Sequence, residues 1–181
     1  MKKKRYSGKL IAIGGVLSAA ALTIMLMGSI IPFATYSVPA LASLCVLFMR
    51  VEFGSAAALL SYASISLLSL LLAPDKEIAL LFICYFGYYP IFKTFAERKL
   101  RPRLAFLAKW GVFNASIVSM YLVVTHLLVI KSVLDEFSSY SSLFIAVLLV
   151  LGNVVFVIYD FALTKLLATY FYRLRGKLGI Q

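Results

Sequence analysis

Apolar residues run along this chain in about six long blocks separated by short polar or basic segments. Blocks of that length, without alternation of apolar and polar positions every second residue, predict membrane-crossing helices and exclude barrel strands. The predicted helices occupy residues 10–33, 37–50, 54–72, 77–93, 105–130 and 142–172. The first, 24 residues at 1.5 Å each, reaches ~36 Å, enough to span with some tilt and too long for the apolar core of a cleaved signal peptide. The second is short, with Pro39 in its first turn, where a missing N–H costs nothing. Ala73-Pro74-Asp75-Lys76-Glu77 is a turn by composition, and residues 93–103 read as a basic loop. The expected fold is all-α: one polytopic membrane domain covering residues 1–181, a six-helix bundle with a short second helix.

Composition agrees with this pattern. Hydrophobic residues make up 63% of the chain and mean hydropathy is +0.99, well above a soluble domain of this length. The formal charge of +11 raises the question of nucleic acid. Its distribution answers for membrane instead, because Lys and Arg cluster between apolar blocks and no basic stripe carries interleaved stacking aromatics. Six crossings with both ends in the cytoplasm put all of the 18 basic residues except Lys76 and Lys131 on or near the inner side. Were the second block only to dip in and return, residues 93–103 would face outward against the charge rule. The chain is therefore expected to be a multi-pass cell-membrane protein, N-in and C-in.

Ionisable or strongly polar groups inside apolar blocks are expensive, so each is a functional candidate until a partner accounts for it. Lys109 and Asp160 fall at similar depths in the fifth and sixth helices, and are expected to form a structural or coupling ion pair. Pairing or snorkelling is the structural reading of that pair, Lys165 is a further candidate, and Arg50 and Glu52 are expected to cap or pin the turn after the second helix. His126, the sole histidine, either contacts a ligand or forms a buried hydrogen bond, and Asn114 and Asn153 need amide partners. In Tyr85-Phe86-Gly87-Tyr88-Tyr89-Pro90 three tyrosines lie near mid-membrane beside a proline that interrupts the helix. Such a segment is either a packed, kinked cluster or the wall of a substrate cavity. Tyr85, Tyr88, Tyr89, His126 and Asn153 are thus the candidate substrate-binding residues. Gly14, Gly15, Gly54, Gly87, Gly111 and Gly152 fall one or two per helix and favour close helix contact. Cys45 and Cys84 lie in apolar blocks without metal-site spacing, and nothing calls for a metal or a cofactor. Serine, aspartate and zinc protease patterns and phosphate-cradling glycine loops are missing, so an enzyme is not expected.

Six helices in about 180 residues, a basic N-terminal tail, a short second helix and a first helix containing Ala12-Ile-Gly-Gly15-Val-Leu-Ser18-Ala19-Ala20-Ala21 resemble the S components of energy-coupling factor transporters. The resemblance covers the whole chain at the level of architecture. It implies a subunit that captures a small vitamin-like molecule from outside and reorients when two ATPase subunits act through a coupling subunit. Membrane lipid, the coupling subunit and the ATPase subunits are then the partners, nucleic acid is not, and the site is a bacterial cytoplasmic membrane. In that family an alanine pair on the first helix docks on the coupling subunit; here Gly15 with Ala19, or Gly14 with Ser18, stands at that spacing. The competing expectation is a non-transporting scaffold or assembly factor whose basic cytoplasmic face binds anionic lipid or a protein partner.

Overall fold

The computed structural model describes residues 8–31, 34–123 and 142–174. Every regular element among them is helical. In chain order they are α1 (Gly8–Gly28), α2 (Ser37–Phe53), α3 (Ser55–Leu72), α4 (Lys76–Leu81), a π-helical turn (Phe82–Phe86), α5 (Tyr89–Lys99), α6 (Pro102–Leu122), α7 (Ser142–Thr169) and a second π-helical turn (Tyr170–Leu174). The chain divides into two compact units, Met1–Val123 and Val124–Gln181. Among the described residues five helical stretches are long and apolar enough to cross a membrane: Gly8–Gly28, Ser55–Leu72, Lys76–Lys99, Pro102–Leu122 and Ala146–Tyr172.

In the first unit the short helix is central. α2 has 17 residues, roughly 25 Å of helix. It packs against α1, α3, α4, the π-turn and α5, burying Val38, Pro39, Ala42, Val46, Leu47 and Met49. α1 meets α2 and α3 along the half-buried Gly14 and Ser18 and the buried Ala21, Met25 and Gly28, a stripe spaced alternately four and three residues. In α3 the inward positions are mostly small, Ala57, Ala58, Ser61 and Ser69 around Ile65, while Leu59, Leu60, Leu67, Leu71 and Leu72 are exposed. Small residues inside and leucines outside is the arrangement expected where lipid offers no hydrophobic drive and helices associate by close contact.

Two connections are decided by single residues. α2 and α3 are joined by Gly54 alone, at φ 90° and ψ −176°. That region is open essentially only to glycine. Gly54, expected as a helix-packing glycine, is instead the hinge of a helical hairpin. At the other end of α3, Lys76 Nζ donates to the carbonyls of Leu70 and Ala73 at 2.9 Å, covering the helix's C-terminal carbonyls with a cation. Asp75 Oδ1 accepts from Glu77 N–H at 2.9 Å and caps α4.

The predicted fourth helix, 77–93, differs most from what is seen. The helical stretch runs 24 residues, Lys76–Lys99, and contains the π-turn, closed by Gly87 N–H donating to Phe82 O at 2.7 Å. The expected basic loop is mostly the last turns of α5, and only Leu100 and Arg101 separate α5 from α6. Lys93 and Glu97, four residues apart, bind each other on that helix, so the charges support the turn they were expected to break. The predicted fifth helix, 105–130, is seen as α6 up to residue 122 and then passes outside the described residues. In the second unit, α7 and the π-turn after it run from 142 to 174.

We expect Gly54→Ala to lower unfolding stability in detergent by about 1–3 kcal/mol through backbone strain. Gly15→Ala, where an added methyl meets open space, should leave it unchanged or slightly raised. A thermal-melt comparison of the two variants checks this, and equal melts would remove the hinge argument.

Candidate functional site

The tyrosine segment folds as it does because a π-turn and a proline follow each other. The π-turn widens the helix at Phe82–Phe86 and loosens its carbonyl ladder, and Pro90 has no N–H to offer the turn before it. Tyr62, from α3, supplies one missing donor: its hydroxyl gives a hydrogen bond to Ile83 O at 2.9 Å. Its ring lies against Phe82 (centroids 6.2 Å apart) and edge-on to Tyr88 (6.3 Å). Gly87 makes this approach possible, since a Cβ there would sit 2.5 Å from the Tyr62 ring and 2.7 Å from the Phe82 ring. Close contact at Gly87 is the kind expected of the membrane glycines; Gly111 meets nothing.

The three candidate tyrosines take different environments. Tyr89 is wholly buried, and Tyr85 nearly so. Their rings lie 4.9 Å apart, with Phe86 at 5.0 Å and Phe113 at 5.1 Å from Tyr85 in edge-on geometry. Tyr88 is half-buried and reaches α6, where its hydroxyl bonds Ser116 Oγ. Ser116 in turn donates to Val112 O at 2.6 Å, so Tyr88 is the donor of the pair. Tyr88 also lines an open, almost wholly apolar groove of about 330 Å³ with Ser55, Leu59, Ile91, Phe92 and Phe95. The groove runs between α3 and α5 toward the Gly54 end of the unit. Among the described residues, then, the aromatic segment is a packed cluster with one tyrosine facing a surface groove.

The remaining candidates are dispersed. His126 lies outside the described residues. Asn153 belongs to the second unit, where its amide donates to Leu149 O of its own helix at 2.9 Å, as Asn114 does to Trp110 O at 3.0 Å in α6. On the proposed docking face of α1, Gly14 and Ser18 are half-buried, with Met49 Cε 3.1 Å from a Cβ built at Gly14, whereas Gly15 and Ala19 are exposed. Cys45 and Cys84 are free, half-buried thiols. No group of three or more His, Cys, Asp or Glu side chains gathers among the described residues.

Lys109 has a partner that sequence reasoning missed. Its Nζ lies 2.8 Å from Glu97 Oε1, and the same oxygen receives Lys93 Nζ at 2.6 Å. Lys93 is 0% exposed and Lys109 nearly as buried, while the Glu97 side chain keeps 35% of its surface open. One carboxylate thus bridges two lysines from α5 and α6 across the two-residue link. The signal was present as Lys93 and Glu97 four apart. Asp160, the expected partner of Lys109, belongs to the second unit, where its carbonyl accepts from Thr164 Oγ1 at 2.9 Å. Lys165 Nζ lies 5.2 Å over the Phe161 ring, the position of a lysine stem laid along an apolar helix.

Among the described residues every regular element is helical, five stretches are fit to cross a bilayer, and α3 presents exposed leucines: the build of a multi-pass membrane protein. No family model, curated protein or solved structure matches it.

Two variants probe the polar contacts. Glu97→Gln should lower stability by about 1–2 kcal/mol, less than for a fully buried pair because the carboxylate is partly open to solvent. A double-mutant cycle of Tyr88→Phe and Ser116→Ala should give a coupling near ~0.6 kcal/mol and below ~1.7 kcal/mol, the range for interhelical bonds in lipid. Thermal or denaturant unfolding in detergent reads both, and zero coupling would mean the Tyr88–Ser116 contact is not made.

Proposed function

We propose that this chain is a non-catalytic, partner-holding subunit of a membrane complex, crossing the bilayer six times with both termini in the cytoplasm. The observation that carries this reading is the asymmetry of α1. One small-residue edge, Gly14 and Ser18, is turned toward its own unit, and the next, Gly15 and Ala19, is left exposed together with Ala12, Val16 and Thr23. In lipid such an edge allows another helix to approach closely, whereas leucines would serve equally well against acyl chains. The packed rings of Tyr85, Tyr89, Phe86 and Phe113 favour holding a partner outside the unit over holding a ligand within it. Lys76 fits the topology: the one described cation placed on the outer side caps α3 and so has a structural reason to be there.

A second reading, substrate capture by an S component of an energy-coupling factor transporter, draws support from the same face of α1 and from the interrupted helix at Pro90. It requires a ligand site that includes His126 and Asn153.

Purification in mild detergent followed by native mass spectrometry separates the readings. Partner-holding predicts a membrane protein recovered at fixed stoichiometry and lost from Gly15→Leu/Ala19→Leu, with no small-molecule adduct. Recovery of a coupling subunit and two ATPase subunits supports the S-component reading instead, and a monomer free of partners in both proteins removes the first proposal. For topology, in a chain whose Cys45 and Cys84 are replaced by Ala, Asp75→Cys should react with a membrane-impermeant maleimide in intact cells. Arg101→Cys should react only after permeabilisation, and the reverse pattern would overturn the orientation.

A further inference from the structure

The groove between α3 and α5 has a charged end. α3 and the helical stretch after it run antiparallel, because three residues join them, so Ser55 and Phe95 close the groove at one end while Tyr88 lies toward the other. Tyr88, Ile91, Phe92 and Phe95, spaced three and four residues apart on α5, form one wall, and Ser55 with Leu59, one turn apart on α3, forms the second. Leu59 and Phe95 are half-exposed, and the Tyr88 hydroxyl is turned away to Ser116 on α6. At the Ser55 end, Lys99 Nζ stands 4.8 Å from the centroid of the Phe95 ring. Lys99 is exposed and has no carboxylate partner among the described residues, since Glu97, two residues earlier, is held by Lys93 and Lys109. α3 starts at the same end with no side chain bonded to its first N–H groups, which adds the positive end of a helix to the charge of Lys99. Exposed Arg98, Arg101 and Arg103 follow nearby in the sequence.

We propose that this groove holds one acyl chain of an anionic phospholipid, whose phosphate rests on Lys99 at the end formed by Ser55 and Phe95. In a bilayer an apolar recess is filled by a neighbouring helix or by a lipid chain. A helix is about 10 Å across and comes close only over small residues, whereas Ile91, Phe92, Phe95 and Leu59 make bulky walls. A flexible chain follows such walls without that requirement. From Tyr88 to Phe95 the groove is roughly 10 Å long at the helical rise per residue, so it takes part of a chain and leaves the headgroup at its mouth. An ammonium at that mouth, fixed over an aromatic ring and lacking a carboxylate, complements a phosphate and favours a lipid with net negative charge over a zwitterionic one. The inference rests on the embedding of α3 and α5 in a bilayer, but not on which way the chain faces or which partner it holds.

The test uses the full chain in nanodiscs of equal parts phosphatidylcholine and phosphatidylglycerol, one or the other carrying a photoactivatable diazirine in its acyl chain. After irradiation, crosslinked peptides are read by mass spectrometry. In the wild type, peptides carrying Leu59 and Phe92 should be labelled more by phosphatidylglycerol than by phosphatidylcholine. Lys99→Gln should lower the phosphatidylglycerol label there about fivefold, the factor expected of one lysine at an anionic surface, and leave the phosphatidylcholine label unchanged. Arg103→Gln, with the same change in charge but off the groove, should keep it within about twofold. Leu59→Trp, which fills the groove from an exposed position, should remove the label of both lipids from Phe92. Labelling of the exposed face of α1 around Val16 by both lipids reports the embedding separately, so its failure is distinguishable from failure of the site. Thermal melting checks that each variant is folded, and should Leu59→Trp not fold, Lys99→Gln against Arg103→Gln carries the comparison. Equal labelling by the two lipids, equal losses in Lys99→Gln and Arg103→Gln, or an unlabelled groove beside a labelled α1 would overturn the proposal, the last in favour of a protein occupant.

Discussion

In a bilayer a polar group that leaves water must find its partner inside the protein, and this requirement organises nearly everything seen here. Most hydroxyls and amides along the helices answer it locally, by donating to a carbonyl three or four residues earlier. Thr23 bonds Ala19 O, Ser43 bonds Ala40 O, Ser64 bonds Leu60 O, Ser119 bonds Ala115 O, and Asn114 and Asn153 do the same with their amides. Side chains satisfied this way present little polarity to their neighbours, which leaves shape to hold the helices together. The small inward faces of α1 and α3 follow from that constraint.

Only a few groups are satisfied across helices, and those crossings are the specific part of the first unit. Tyr62 reaches from α3 to the π-turn, Tyr88 from the start of α5 to α6, and Lys109 from α6 to Glu97 on α5. Each repairs a local defect. The first serves a backbone whose ladder has been widened, the second a half-buried hydroxyl among aromatic rings, and the third a lysine that would otherwise bring its charge into an apolar setting. The aromatic segment therefore works as a junction at which α3, α5 and α6 are registered against one another, with Gly87 as the space that lets them meet.

What the sequence made legible was the level at which hydrophobicity acts alone. The block lengths placed α2, α3 and α7 within a few residues of where they lie, and the Pro74-Asp75-Lys76 turn was readable because each of its residues has a local reason to be there. What was not legible depended on pairs distant in the chain or on charges that cancel. Lys93 to Arg103 read as loop because basic residues ordinarily mark one, yet Lys93 is buried on Glu97 and the helix continues through it. The proximity of Lys109 to Glu97 arises from a two-residue link between α5 and α6 that no composition signal showed. Gly54 resembled the packing glycines in composition, and only its dihedral angles reveal a hinge. Tyr85, Tyr88 and Tyr89 stood out as unusual, but whether adjacent rings line a hollow or fill it depends on Phe113 and Tyr62, which reach them from other helices.

The one-residue hinge also bears on how the protein is made. In the proposed six-crossing arrangement no loop lies between α2 and α3 that could hold them apart, because Gly54 alone joins them. The two would then enter the bilayer as a hairpin rather than one at a time. A 17-residue helix, at the short end of the spanning range, would then be carried in together with the 18-residue α3. Insertion of the first unit's central helix and of its neighbour would accordingly be a single step.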